Sequence, residues 1–124
     1  MKRVLLVEDE QSLGEVLAMI LNSCGFRVTV VANGKRALDL LVDSKPDLII
    51  TDYMMPVMNG LEMTRAVRAD PVYASVPILM LSGVPPDALQ HDSSLFNGFL
   101  RKPVEMDVLL GEIARLVPDW AEGN

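Results

Sequence analysis

Short apolar runs alternate along the chain with longer stretches in which apolar residues recur at helical spacing. The runs are rich in Val, Ile and Leu, and they predict five β-strands, over residues 4–7, 26–31, 47–51 and 76–81 and around 99–100. The stretches between them predict helices over residues 10–24, 33–44 and 104–117, from Asn59 onward and within 86–96. In the first helix the apolar residues at helical spacing are Leu13, Val16, Leu17, Ile20 and Leu21.

The apolar runs are continuous rather than alternating, which indicates strands that are buried on both faces. Val4–Val7 and Leu48–Ile50 are examples, and such strands are typical of a parallel sheet with helices on either side. Five β/α units in 124 residues predict one α/β domain with an open, doubly wound sheet of five parallel strands. Residues 118–124 are too few for a second domain and are expected to form a short tail. Asn59 with Glu62 predicts a capping box at the start of the third helix.

The charge balance argues against one class of partner. The chain has 17 acidic and 11 basic residues and a formal net charge of −6, whereas nucleic-acid phosphates are bound mainly by clustered Lys and Arg, so no direct nucleic-acid binding is expected. No apolar run reaches the roughly 20 residues of a membrane-spanning helix, and no membrane association is expected. The single cysteine, Cys24, excludes an internal disulfide, is expected to be a buried thiol and agrees with a cytoplasmic location.

Polar side chains follow four of the five predicted strands at the point where each strand ends. Glu8 and Asp9 follow the first strand, Asp52 ends the third, Ser82 the fourth and Lys102 the fifth. In open α/β sheets the ligand crevice lies beyond the carboxyl ends of the strands. We therefore expect segments that are far apart in sequence to bring these side chains to one edge of the sheet.

These residue types in one place predict phosphoryl chemistry with a metal ion. The carboxylates of Glu8, Asp9 and Asp52 repel one another, and Mg²⁺ would remove that penalty, because it prefers oxygen ligands and commonly shares its shell with a phosphate oxygen. Lys102 supplies a point charge for another phosphoryl oxygen, and the Ser82 hydroxyl can donate to a third. Asp52 is then left as the nucleophile, a carboxylate able to form an aspartyl-phosphate.

Each of these residues also has a purely structural interpretation. The acidic run at residues 8–10 could cap the first helix and complement its dipole. Asp52 could begin an Asx-turn, Ser82 could be a turn residue and Lys102 a solvated charge. Their joint placement favours the chemical interpretation, since helix capping does not require a hydroxyl after the fourth strand and a lysine after the fifth.

Four segments carry a resemblance to a known family. They are residues 4–10 (VLLVEDE), 47–60 (DLIITDYMMPVMNG), 77–83 (PILMLSG) and 98–103 (GFLRKP). With these segments in this order, the chain resembles a response-regulator receiver domain over essentially its whole length. The resemblance implies the flavodoxin-like fold with strand order 2-1-3-4-5, in a single receiver domain of residues 1–124.

The resemblance also implies a role for each site residue in two-component signalling. Asp52 matches the phosphoacceptor, which takes its phosphoryl group from a phosphohistidine on a sensor histidine kinase or a histidine phosphotransfer protein. Asp9 and Asp52 would ligate Mg²⁺ directly, Glu8 would act largely through water, and the backbone carbonyl of Met54 would complete the protein's share of the shell. Lys102, together with Ser82, matches the pair that contacts the phosphoryl group.

Further implications concern the response to phosphorylation. Phe99 matches the switch aromatic, whose rotamer follows Ser82 toward the phosphoryl group, and the Lys102–Pro103 peptide bond matches one that is usually cis in the family. The modified surface would then signal to a downstream effector protein, from a monomer or from a phosphorylation-dependent dimer. Such a domain is a signalling phosphoacceptor that catalyses only its own phosphorylation and dephosphorylation, not an enzyme acting on other substrates.

Two features depart from the family pattern. Residues 83–97 contain Pro85-Pro86 and Asp92-Ser93-Ser94, so the helix expected there, on the face that usually carries the output signal, is predicted to be short, displaced or mobile. Met54 and Val84 occupy the positions whose side chains influence the hydrolytic water in the family. Both are apolar and cannot orient water by hydrogen bonding, so the phosphoryl group is predicted to be comparatively long-lived.

Other interpretations fit fewer residues. A haloacid-dehalogenase-type phosphatase expects a second Asp two residues after its nucleophile, where this chain has Met54. A flavodoxin-like FMN carrier needs a phosphate-binding loop after the first strand, where residues 8–10 would repel phosphate. A pseudo-receiver that is never phosphorylated does not require the complete acidic and cationic set. The sequence leaves open whether the chain is a stand-alone regulator or a module of a hybrid kinase or multidomain regulator.

Overall fold

A computed structural model of the chain describes residues 2–83 and 94–120. Its strands are β1 (Arg3–Val7), β2 (Arg27–Val31), β3 (Leu48–Asp52), β4 (Ile78–Ser82) and β5 (Gly98–Arg101). They form one parallel sheet in the order β2-β1-β3-β4-β5. The predicted class and strand order are therefore confirmed.

The helices depart from the sequence prediction in two places. They are α1 (Gln11–Ser23), α2 (Gly34–Asp39), α3 (Leu41–Ser44), α4 (Gly60–Ala69) and α5 (Met106–Leu116). The single helix predicted over 33–44 is wrong, because the helix is interrupted at Leu40. The amide of Leu40 donates to the carbonyls of both Arg36 and Ala37, so the last turn of α2 is narrower than an α-helical turn. The last helix begins at Met106 rather than near Val104, since Glu105 is its extended N-cap. Most of the helix predicted within 86–96 lies outside the described residues.

The core has one layer on each face of the sheet. Within β1, Val4 and Leu6 belong to one buried cluster, whereas Leu5 and Val7 belong to the other. This alternation explains why the strand sequences are continuously apolar, as expected for a parallel sheet covered on both faces. The capping box at Asn59 and Glu62 is also present.

The apolar positions of the first helix are not all buried: Val16 is 46% exposed, whereas Gly14, Leu17 and Leu21 are buried. The prediction that Cys24 is a buried thiol is wrong. Cys24 is a free thiol and is only half-buried, because it follows the end of α1 at the turn into β2.

The start of the predicted tail packs against the domain. The ring of Trp120 stacks on Phe26 with 4.8 Å between centroids, and its indole N–H donates to the carbonyl of Cys24 at 3.0 Å. Lys2 forms an ion pair with Asp119 at 3.0 Å. Residues 118–120 are thus part of the folded unit, and 121–124 lie outside the described residues. Over the described part of the chain, no helix combines the length and the apolar character that crossing a bilayer requires.

Arg68 connects segments at the N-terminal ends of β4 and β5. The acidic residues lie at the opposite, carboxyl ends of the strands. Its Nε donates to the carbonyl of Leu95 at 2.8 Å, and its Nη1 to the carbonyls of Ala74 and Val76 at 3.0 and 2.8 Å. Its Nη2 donates to Oδ1 of Asn97 at 2.8 Å. One guanidinium therefore joins α4 to the segments that precede β4 and β5.

Replacing Arg68 with Ala is expected to lower the free energy of unfolding by about 2 to 3 kcal/mol, because several partly buried acceptors lose their donor together. Urea denaturation measures the change. Arg36→Ala, which removes an exposed guanidinium, is the matched control and should stay within about 0.5 kcal/mol of the wild type. An equal, small effect of both substitutions would contradict this role for Arg68.

Candidate functional site

The acidic site is built by the register of the two central strands. Val7 of β1 pairs with Thr51 of β3, so the next residues along these strands, Glu8 and Asp52, lie side by side where the strands end. Both are buried, each with 3% of its surface exposed. Asp9 follows in the exposed turn before α1. One carboxylate oxygen from each of the three residues lies within 4.8 Å of the others.

Lys102 reaches this acidic site from the end of β5. Its amide donates to the carbonyl of Ser82 at 2.8 Å, which fixes the backbone of Lys102 beside the end of β4. Its Nζ lies 2.6 Å from Oδ1 of Asp52 and 3.3 Å from Oε1 of Glu8. The Lys102–Pro103 peptide bond is cis, as the resemblance implied.

The remaining predicted residues that the structure describes lie on β4, on β5 and in the loop after β3. Ser82 is the last residue of β4 and is buried, one position beyond Leu81, which pairs with Asp52. Phe99 is half-buried in β5, and its ring centroid lies 6.2 Å from that of Phe96. Met54 lies in the loop after β3 with 67% of its surface exposed. Val84 lies outside the described residues.

One feature of this loop was missed by sequence reasoning. Val57 has a φ of 70°, a left-handed conformation that is strained for a β-branched residue. The amide of Met58 donates to the carbonyl of Pro56 at 2.7 Å, closing a tight turn around Val57. No sequence signal pointed to it, because positive φ is normally marked by Gly, Asn or Asp.

The pKa values of the two buried carboxyl groups shift in opposite directions. Burial, followed by the hydrogen bond with Glu8, raises the pKa of Asp52 to about 8, although Lys102 opposes the shift. Burial would also raise the pKa of Glu8, but its hydrogen bonds with Asp52 and with the Glu10 amide and the charge of Lys102 outweigh burial and hold that pKa below its usual value. We therefore place the proton on Asp52, which donates to Glu8.

The carboxyl chemistry fits a hard cation. Oδ1 of Asp52 is buried and, apart from the ion pair with Lys102, has no hydrogen-bond donor in good geometry. Two further carboxylates lie beside it, and oxygen ligands of this kind suit Mg²⁺. Helix capping does not account for the cluster, because Glu10 is the N-cap of α1 and makes no side-chain cap hydrogen bond. Glu8 accepts instead from the Glu10 amide at 3.1 Å.

The sequence profile described as the response regulator receiver domain matches residues 4–114. Among curated proteins, the chain is 41% identical over 81 residues to the DNA-binding response regulator MtrA of Mycolicibacterium smegmatis; the alignment covers 65% of this chain and 34% of that protein. The chain thus spans about a third of the length of the first curated relatives that it matches.

Solved structures of similar proteins show the same fold. The chemotaxis protein CheY4 of Vibrio cholerae superposes with a TM-score of 0.87 at 35% identity, covering 94% of this chain and 98% of that one. The receiver domain of the sensor histidine kinase PA1611 from Pseudomonas aeruginosa PAO1, solved with a magnesium ion coordinated in its active-site cleft, gives 0.80 at 33% identity, with coverages of 94% and 98%. The chain therefore belongs to the response regulator receiver domain family of two-component systems.

Proposed function

We propose that Asp52 is the phosphoacceptor of this receiver domain and that its phosphorylation requires Mg²⁺. The observation that carries the proposal is the group formed by the buried Asp52 carboxyl, two further carboxylates and the Lys102 ammonium. One oxygen from each of the three carboxyl groups lies within 4.8 Å of the others, and the Nζ of Lys102 lies 2.6 Å from Oδ1 of Asp52. Three acids and a cation at the ends of strands β1, β3 and β5 suit a site that binds a metal and a phosphoryl group together.

In this mechanism the chain's residues have separate tasks. Asp9 and Asp52, with Glu8 and the Met54 carbonyl, would hold Mg²⁺, which supplies charge neutralisation for the incoming phosphoryl group. Because the pKa of Asp52 is raised to about 8, its proton must leave before the Asp52 carboxylate can attack. An oxygen–phosphorus bond then forms at Asp52 as the nitrogen–phosphorus bond of a phosphohistidine breaks.

The other site residues would act on the product. The Nζ of Lys102 already lies 2.6 Å from Oδ1 of Asp52 and would move its charge onto a phosphoryl oxygen, while the buried Ser82 hydroxyl would donate to another. Phe99 would follow Ser82 and change the surface near β5. The phosphodonor would be a sensor histidine kinase or a phosphotransfer protein, and a downstream effector protein would bind the altered surface.

The relatives show two settings in which such a domain works. MtrA is a DNA-binding response regulator about three times the length of the matched region, and the PA1611 domain belongs to a sensor histidine kinase. We propose that this chain is either a regulator acting through a partner protein or the receiver module of a longer regulator or hybrid kinase. In both settings it serves as a signalling phosphoacceptor rather than as an enzyme for other substrates.

A small phosphodonor tests the proposal without knowledge of the kinase. Incubation with acetyl phosphate should add one phosphoryl group to the protein, seen by intact-mass spectrometry, in Mg²⁺ but not in EDTA. Asp9→Asn should raise the Mg²⁺ concentration required by roughly tenfold or more, because one carboxylate ligand is lost. Phosphorylation in EDTA at the wild-type rate would overturn the proposal.

We further predict that the aspartyl-phosphate is long-lived. Met54 is exposed in the loop beside the acceptor, and its thioether cannot orient an attacking water as a carboxylate or amide would. After removal of the phosphodonor, decay followed by intact mass should take many minutes to hours, and Met54→Glu should shorten it. A wild-type lifetime of seconds would contradict this prediction.

A further inference from the structure

A groove runs between α1 and the edge strand β2. It has a volume of about 800 Å³, and its apolar lining comes from Ala18 and Met19 of α1, Val30 and Val31 of β2, and Ala32. Met19 is 65% exposed and Val30 44% exposed. Exposed apolar side chains that surround a concave surface are typical of a binding site rather than of a solvated surface.

The groove lies on a different face of α1 from the one that approaches Lys102. Glu10, Leu13 and Leu17 line a separate cavity with Lys102. The α1 residues that line the groove are different ones, spaced along the helix from Gln11 to Asn22. An occupant of the groove would therefore leave the Lys102 side of the site open.

Gly14 explains how the groove meets the acidic site. A Cβ at this position would lie 3.3 Å from Cγ1 of Val30 and 3.6 Å from Cγ of Glu8. Because Gly14 has no side chain, α1 can approach β2 closely. Val30, which lines the groove, and Glu8, which belongs to the acidic site, both pack against the helix at Gly14. The groove and the acidic site are therefore adjacent, and Glu8 and Asp9 line both.

The polar rim of the groove is acidic. The exposed Asp9 lies at one end, beside the buried Glu8, and Glu15 lies along α1, where its Oε1 accepts from Gln11 at 3.1 Å. Among the described residues that line the groove, none is basic. Charge complementarity therefore favours a partner with Lys or Arg beside its apolar side chains.

The length of the groove suits a short helix. From Gln11 to Asn22 the helix α1 rises about 16 Å, or three turns, at 1.5 Å per residue. A partner helix of similar length places apolar residues on one face at i, i+3 or i+4, and i+7. Met19 is well suited to such a contact, because its flexible thioether side chain adapts to different shapes.

We propose that the groove between α1 and β2 binds a basic amphipathic helix of a partner protein. The apolar face of that helix contacts Met19 and Val30, and its Lys or Arg side chains lie against Glu15 and Asp9. Asp9 belongs both to the rim and to the proposed metal site, so the two binding events oppose each other. This opposition rests on the proposed function, whereas the docking itself does not.

Docking is tested in EDTA with a synthetic probe. The probe is a blocked amphipathic peptide of about 14 residues, with Leu on one face and Lys on the flanks; the control peptide carries Glu in place of Lys. Calorimetry should detect the Lys peptide and not the Glu peptide. Methyl NMR should place its largest shifts at Met19 and Val30.

Protein variants separate docking from general attraction to an acidic chain. Met19→Glu and Glu15→Lys should each weaken binding by roughly tenfold or more. Asp39→Lys makes the same change of charge at an exposed position of α2, and Val42→Glu adds an acid where the valine is 66% exposed. These two controls should keep the wild-type affinity within about twofold. Equal losses in Glu15→Lys and Asp39→Lys, or no shifts in the groove, would overturn the docking.

The opposition to metal binding is tested by repeating the titration in millimolar Mg²⁺. Probe affinity should fall by roughly three- to tenfold, and the probe should weaken Mg²⁺ binding by the same factor. An unchanged probe affinity while Mg²⁺ is bound would overturn the opposition. Failure to bind Mg²⁺ at all would overturn the proposed function, and the measurements in EDTA would still decide the docking.

Discussion

The Asp52→Asn variant is expected to take up no detectable phosphoryl group from acetyl phosphate under conditions in which the wild type is modified. An amide cannot form the acyl phosphate, and removal of a nucleophile costs at least about 10³-fold in rate. The neighbouring carboxylates do not compensate, because Asp9 is exposed in the turn and Glu8 lies farther from Lys102, at 3.3 Å against 2.6 Å for Asp52. Intact-mass spectrometry over a time course measures the loss.

Asp39→Asn is the matched control, since it makes the same chemical change at an exposed position of α2. It should be phosphorylated at the wild-type rate. If Asp52→Asn were modified at a comparable rate, another residue would be the acceptor, and peptide mapping would identify it.

The pH dependence of stability tests the protonated state assigned to Asp52. In the metal-free protein, burial first and the hydrogen bond with Glu8 second raise the pKa of Asp52 from 3.8 to about 8. Because the folded-state pKa lies above the unfolded one, the stability from this group is fully present below about pH 4. It is lost as the pH rises through about 8.

An asparagine is neutral at every pH and does not lose this contribution. In EDTA, Asp52→Asn should therefore gain stability over the wild type as the pH rises from about 4 to about 8, by about 2 kcal/mol. The gain is smaller than the full pKa shift would give, because local relaxation and water penetration offset part of the penalty for burying the Asp52 charge. A stability difference that does not change with pH would contradict the protonated state assigned to Asp52.

The strands and the placement of the site could be predicted because each rests on a local pattern that the fold preserves. Runs such as Leu48–Ile50 are apolar at every position because both faces of β3 are covered. Parallel strands end at one edge of the sheet, which is why Glu8, Asp52 and Lys102 converge although they are far apart in sequence.

Other features depend on tertiary detail that no local pattern specifies. The break at Leu40 and the left-handed Val57 contradict the propensities of their residues. Val16 fits the helical stripe but lies on its outer side, because Gly14 takes the position nearest β2. The opposite pKa shifts of Glu8 and Asp52 arise from burial and from the contact between the two carboxyl groups, which spacing alone does not give.

Gly60 is the position where a single methyl group is expected to damage both the fold and the site. A Cβ on this residue would overlap the carbonyl oxygen of Asp52 and would lie 3.0 Å from Sδ of Met80. The sulfur can move, but the carbonyl belongs to the last residue of β3, which is held in the sheet. The Gly60 amide also donates to the carbonyl of Tyr53 at 2.9 Å, so α4 cannot withdraw without breaking that bond.

Gly60→Ala is therefore expected to lower the free energy of unfolding by about 3 kcal/mol, since backbone rather than a side-chain end must shift. It should also slow phosphorylation of the protein that remains folded, because any shift of the Asp52 backbone moves its carboxyl relative to Lys102. Urea denaturation and the acetyl phosphate assay measure the two effects.

Gly111→Ala supplies the matched control within α5. A Cβ there meets no atom within 4 Å, so alanine should raise stability by about 0.5 to 1 kcal/mol through its better helix propensity. The two substitutions add the same methyl group and should change stability in opposite directions, because one faces the carbonyl of Asp52 and the other faces solvent. If Gly60→Ala were as stable as the wild type, the close packing of α4 against the phosphoacceptor strand would be wrong. The position of Asp52 would then be set by the sheet alone.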